Sequence, residues 1–232
     1  MKNMTMKSTM KNTMKNSKIN KFQQYFFLMV MGLVFVPLFV QAQTATTDQT
    51  ADPAPVMRAA IEDVLAQLKA HETLYQTDPE QLRAIVAKSA LPNLYINRMA
   101  QLALAKHWRS ASVQQREIYV REFQRYLIRT YTTTLYLYRN TSPEMLGGKN
   151  KGDNKSTLKI RVKNDRGEPV ILFLRLEIHN GNWKIVDINV EGVSLVITAR
   201  GIFDEEINQI GIDAFLKSMT AQNDKAALNK NE

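Results

Sequence analysis

The second half of the chain carries a period-two pattern. Leu158, Ile160 and Val162 alternate with Lys159, Arg161 and Lys163. Val170, Leu172, Leu174, Leu176 and Ile178 alternate with Ile171, Phe173, Arg175, Glu177 and His179. Val186, Ile188 and Val190 alternate with Asp187, Asn189 and Glu191. Alternation of this length predicts half-buried strands. The segment from Asn164 to Glu168, with Gly167, and the Asn180-Gly181 pair fit hairpin turns. Together they predict an antiparallel meander with an aliphatic face and a polar face, and Asp187, Asn189 and Glu191 fall on the wet side.

The first half has helical periodicity. Met57, Ile61, Val64, Leu68 and Tyr75 share one face. Asp78-Pro79-Glu80-Gln81 is a helix start, with an N-cap Asp and Pro at the first position, and Leu82, Ile85 and Val86 give that helix a buried side. A third helix is expected over Ile96–His107. Ser112-Val113-Gln114-Gln115 is a capping box that opens the longest pattern, with Val120, Phe123, Leu127 and Tyr131 at helical spacing. Its end, "YTTTLYLYRN", favours a strand on propensity, and periodicity does not decide it. Met145 to Ser156 reads as a Gly-, Asn- and Lys-rich loop. Helix is expected over Asp204–Ile210, with Gly211 as C-cap, and over Ala214–Met219. Helices followed by an antiparallel sheet give an α+β domain with helices packed on one sheet face.

Charge changes this picture only through the N-terminus. Residues 1–24 hold six lysines and no acid, and "YFFLMVMGLVFVPLFV" (Tyr25–Val40) then leads to Val40-Gln41-Ala42. Basic, apolar, then small residues is the order of a cleaved secretory signal. The 16-residue apolar run, with Pro37 inside it, is short of the ~20 residues a spanning helix needs. The expected organisation is a signal peptide at 1–42, a flexible leader at 43–55, one domain at 56–220 and a disordered tail at 221–232. Removing six basic residues takes the formal charge from +9 to +3, too little to argue for nucleic acid. There is no cysteine, so neither disulfides nor thiol chemistry enter.

The search for a catalytic constellation comes up short. Gly192-Val193-Ser194-Leu195-Val196 lacks the second glycine of a nucleophile elbow. No His-Glu-x-x-His zinc motif and no phosphate-binding loop occur. Asp187, Asn189 and Glu191 stand roughly 7 Å apart along one strand, too spread for one ion. No catalytic residue, metal or cofactor is assigned. The aliphatic sheet face is either ordinary core or, if the helices stand off it, the wall of a cavity for an apolar ligand. The candidate tail-contact residues are Phe123, Leu127 and Tyr131 on the long helix, with Leu172, Leu174, Leu176, Val186, Ile188 and Val190 on the sheet. Arg98, Arg129 and Arg200 are candidates for steering an anionic head group or a partner.

Two blocks carry a resemblance. "LPNLYINRMAQLALAKHWRSASVQQREIYVREFQRYLIRTYTTTLYLY", with Pro92, Met99, Leu104, Trp108, Gln115, Phe123, Thr130-Tyr131 and Tyr138, resembles the middle of the MlaC, or toluene-tolerance auxiliary, family of periplasmic phospholipid-binding proteins. Trp183-Lys184, Asp187, Glu191-Gly192-Val193-Ser194-Leu195 and Gly211-Ile212-Asp213 match its most specific block. The resemblance implies an NTF2-like fold whose helices and curved sheet enclose a lipid cavity, and it implies that "YTTTLYLY" continues the long helix. It implies a monomeric periplasmic carrier of phospholipid, without covalent chemistry, that helps maintain outer-membrane lipid asymmetry. Its partners would be an outer-membrane lipoprotein–porin complex and an inner-membrane ABC transporter with an MCE-domain subunit. Tyr95 stands where many members carry Asp, Ala105 where Gly is common, and Ala199 where an aromatic is common. Two other readings stay open at this stage: an NTF2-like cavity enzyme acting on an apolar or ester substrate, and a ligand-free envelope adaptor.

Overall fold

A computed structural model describes residues 52–228, apart from 153 and 164–166. The expected signal peptide and residues 43–51 of the expected leader lie outside these residues. The chain enters through α1 (Pro53–Ala70), so helix begins inside the stretch expected to be a leader. Asp52 caps it, accepting a hydrogen bond from Ala54 N at 3.0 Å, and Pro53 occupies the first turn, where a missing N–H costs nothing. A single turn, α2 (Leu74–Thr77), leads to α3 (Pro79–Ala90), which starts where the sequence indicates: Gln81 N donates to Asp78 at 3.0 Å.

The expected third helix is two, α4 (Ile96–Leu104) and α5 (Lys106–Ser110). They are broken at Ala105, which is held at φ 50°, ψ −115°. Next comes α6 (Val113–Leu137), with the reciprocal capping box of Ser112 and Gln115 in place. It absorbs "YTTTLYL", as the resemblance implied. Packing of Tyr131 and Leu135 into the core outweighs the strand propensity of the three threonines.

The sheet has five strands in the order β1-β2-β3-β4-β5, an open antiparallel meander. β2 (Lys155–Lys163) and β3 (Pro169–His179) pair in continuous register, with Leu158 opposite Leu174 and Ile160 opposite Leu172. β4 (Asn182–Val190) follows the Asn180-Gly181 turn, where both residues have positive φ. Two strands were not expected. β1 (Glu144–Asn150) lies in the predicted loop, and its pairing with β2 is interrupted by an irregularity between Met145 and Gly148. β5 is only Val193–Ser194, folded back on β4 by a tight turn at Glu191-Gly192.

From β5 the chain passes into α7 (Leu195–Ile210), which starts nine residues before the expected Asp204, and then α8 (Ile212–Leu228). The latter continues well into the stretch expected to be a disordered tail. Asn223, on that continuation, is buried and donates to Glu122 on α6, at 3.1 Å to the carbonyl and 3.0 Å to the carboxylate. Asp224 accepts from Arg125 at 2.5 Å, and Ala226 O accepts from Arg83 at 2.9 Å. Polar contacts, invisible to hydrophobic periodicity, hold this end.

Helices cover one sheet face. α4 packs on α7, α6 on α8, and α1 on α3. The inner side of β2 and β3 is buried from Leu158 to Val162 and from Val170 to Leu176 at alternate positions.

Candidate functional site

The centre of the helix-to-sheet interface is a closed apolar cavity of about 10 Å³. Its wall is formed by Val86 of α3, Leu94, Met99 of α4, Leu127, Ile128, Tyr131, Thr132 and Leu135 of α6, Ile188 of β4 and Leu195 of α7. None of these ten carries a charge, and the hydroxyl of Thr132 is spent on Ile128 O at 2.7 Å. Burial pushes the Tyr131 phenol well above its ordinary pKa, so it stays neutral. Five separate elements meet here, which is why no single segment of sequence announces the site.

Three of the nine sequence-indicated tail residues, Leu127, Tyr131 and Ile188, lie on this wall. Leu172, Leu174, Leu176 and Val190 are buried in the inner sheet face alongside, without lining the cavity. Phe123 lies elsewhere, in a cluster where α6, α7 and α8 meet, with its ring 6.3 Å from Phe203 and 5.7 Å from Tyr119. Val186 is displaced by a bulge. The register jumps between Arg175, opposite Asp187, and Leu176, opposite Ile185, so Ile185 takes the place expected of Val186. Val86, Leu94, Met99, Ile128, Thr132, Leu135 and Leu195 are wall residues missing from the sequence-based set. Val86 was legible as an apolar face; Ile128 sits one position round the helix from the stripe and was not.

Asp187 corrects a second expectation. It is 1% exposed and not on the wet face. Its carboxylate accepts from Ser194 Oγ at 2.7 Å and from Val196 N at 3.1 Å, with Arg175 Nε 3.6 Å away. Ser194 Oγ in turn accepts from Ile197 N at 3.1 Å. The pair therefore caps α7, placing a carboxylate on a positive helix end. No histidine attends Ser194. His71 bonds Gln67 O, His107 bonds Asp204, and His179 stacks on Tyr95. The motif that looks like chemistry is a helix start.

The three candidate arginines divide. Arg98 pairs with Glu177 at 3.3 Å and donates to Gln101 at 2.9 Å. Arg200 spends Nε and one Nη on Leu102 O, at 3.0 and 2.8 Å, and so caps the end of α4. Arg129 has no carboxylate partner among the described residues, and its Nε is buried without an acceptor. Its guanidinium lies 5.8 Å from the Tyr126 ring centre. Burial lowers its pKa from the ordinary arginine range.

Similarity to known proteins bears on this arrangement. A family model described as "MlaC protein" matches residues 58–221. The chain is 25% identical over 180 residues to the intermembrane phospholipid transport system binding protein MlaC of Haemophilus influenzae, covering 76% of this chain and 84% of that one. It is 22% identical over 187 residues to toluene tolerance protein Ttg2D of Pseudomonas putida, covering 80% and 83%. Among solved structures, the phospholipid-binding protein from Ralstonia solanacearum, in complex with a phospholipid, superposes with a TM-score of 0.68 at 27% identity, over 76% of this chain and 99% of that one.

Proposed function

The chain belongs to the MlaC family, and from that premise we propose that it is a phospholipid carrier of the periplasm, with the acyl tails held between α3, α4, α6, α7 and β4. The observation that carries this reading is the charge-free wall around a cavity shared by five elements. Acyl chains need area and no directed polar contacts. Each CH₂ they bury is worth ~0.8 kcal/mol, so two chains disfavour an uncovered lipid in water by roughly 20 kcal/mol.

The cavity as it stands is shut. Its 10 Å³ is no more than one water requires, against the 300–1,000 Å³ typical of ligand pockets (approximate values). Loading is therefore a change of shape, in which α3 and α6 part from β4. Apolar wall exposed by parting is covered again by the tails, so opening and binding offset each other. No bond is made or broken, and the residues act by area alone. Within this reading the carrier is monomeric, needs no cofactor, and passes lipid between an outer-membrane lipoprotein–porin complex and an inner-membrane ABC transporter with an MCE-domain subunit. Residues 1–42 would serve as the export signal.

The test is extraction of purified protein with organic solvent and mass spectrometry of the extract. Phospholipid in the extract is the expected result. Protein that arrives empty and takes no lipid from liposomes would refute the carrier reading.

A further inference from the structure

Sharing a wall residue with the apolar cavity, a second pocket of about 180 Å³ lies between α3, α6 and α8. Ile128 belongs to both walls. The charged groups facing the second pocket are Arg83 and Glu80 from α3 and Arg125 and Arg129 from α6; α8 contributes Asn223, Ala226 and Ala227. Two of the arginines are occupied. Arg83 pairs with Glu80 at 2.6 Å and donates to Ala226 O, while Arg125 is held by Glu122 at 2.8 Å and Asp224 at 2.5 Å. Arg129 is left over, a half-buried cation that also feels the like charges of Arg83 and Arg125. Asn223 donates from Nδ2 but keeps Oδ1 buried without a donor.

A cation without an acid, inside a pocket, is costly unless something anionic completes it. A guanidinium matches the oxygens of a phosphate in shape and charge. The pocket adds an orphan acceptor, suited to a hydroxyl or ammonium donor such as follows the phosphate in a phosphodiester head group. The apolar cavity adjoins it at Ile128. We propose that the second pocket is a phosphoryl subsite: Arg129 takes the phosphate of the cargo lipid, while the acyl chains pass Ile128 into the adjoining cavity. This placement rests on the carrier reading. The last turns of α8 form one wall of the subsite, through Asn223, Ala226 and Ala227. Arg83 and Arg125 hold the walls, and Arg129 holds the ligand.

The test uses the lipid-stripped protein and two ligands with identical fluorescent acyl chains, a phosphatidylglycerol and the matching diacylglycerol, which lacks the phosphate. Arg129→Gln should weaken phosphatidylglycerol about tenfold or more, the scale of one lost charged hydrogen bond, and leave diacylglycerol unchanged. Arg129→Lys should recover part of the loss, and it keeps the test usable if the glutamine variant folds poorly. The ³¹P shift of bound phosphatidylglycerol should move in both variants. Equal weakening of both lipids, or of neither, would overturn the subsite. Inorganic phosphate supplies the remaining arm. If it binds in an Arg129-dependent way while neither lipid binds the parent protein, the phosphoryl subsite stands and the carrier reading falls.

Discussion

Replacing Ile188 with alanine distinguishes a cavity wall from ordinary core. Ile188 is 1% exposed, faces the helices from β4 opposite Leu174, and lines the closed cavity. In the lipid-free protein the substitution leaves a void and should cost about 2–5 kcal/mol. At ~2–4 °C per kcal/mol for a domain of this size, the thermal midpoint should fall by roughly 4–20 °C. On the carrier reading, an acyl chain in the loaded protein would lie against the same wall and fill the space of the three lost carbons. At ~0.8 kcal/mol per buried carbon, about 2 kcal/mol should be recovered, so the loaded midpoint should fall less, by roughly 4–8 °C. The assay is scanning calorimetry of parent and variant, each stripped and each loaded with saturating phospholipid. Phe123→Ala is the control, because its ring lies in the aromatic cluster away from the wall and should cost about 3–5 kcal/mol in both states. An Ile188→Ala loss of the same size with and without lipid would refute the tail-contact reasoning at this position.

Two further predictions concern the scaffold. Ala105 sits at φ 50°, ψ −115°, a region open essentially to glycine and worth ~1–3 kcal/mol of strain. After ~0.5–1 kcal/mol for the freer unfolded chain and a smaller loss from the half-buried methyl, Ala105→Gly should gain about 1 kcal/mol and raise the melting midpoint by ~2–4 °C. An unchanged or lower midpoint would show that the backbone there is not strained. The second prediction concerns pH. Burial raises the pKa of the Glu122 carboxyl, but hydrogen bonds from Asn223, Arg121 and Arg125 outweigh it, and the net direction is down. A depressed carboxylate stabilises the fold above its unfolded value of about 4.3 and loses that stabilisation as pH falls through the folded value. Glu122→Gln should therefore be less stable than the parent at pH 7, and the two urea midpoints should converge as pH falls below that range; a gap constant with pH would contradict the linkage.

What the sequence disclosed depended on the kind of interaction. Caps are local and chemically specific, so Asp78 and Ser112 marked the starts of α3 and α6, and Asn180-Gly181 marked a hairpin. Burial by alternation was equally plain along β2 and β3. Legibility ended where one residue changes the phase or a polar group is buried by design. The bulge at Val186 puts Ile185 opposite Leu176, and no composition rule signals it. Asp187 is polar in sequence but belongs to the cap of a helix whose N-cap, Ser194, lies seven residues later. β1 has two glycines and no alternation; it is a strand because β2 offers a free edge. Of the candidate site, the sequence supplied the apolar character and three wall residues, while the cavity's outline depends on five elements meeting in space. Arg129 was among the candidates, yet only the structure separates it from Arg98 and Arg200, whose charges are already used.

The unequal ends of the sheet bear on how such a protein survives repeated opening. A carrier that parts its helices exposes the flank of a sheet, and exposed strand edges recruit other chains. One border here is β1, kinked between Met145 and Gly148 and carrying Lys149. A Cβ at Gly148 would come within 2.6 Å of Leu158 Cδ2 and 3.3 Å of Thr157 O, so a side chain there would have to push Leu158 aside. At the other border, β4 is covered in pieces, by the two residues of β5 at one end and by Tyr95 N donating to Ile185 O at 2.9 Å at the other. Neither border offers a long, flat ladder to a second molecule. On the proposed opening, the same irregularities that blur these strands in the sequence would protect the protein against polymerising while its apolar interior is exposed.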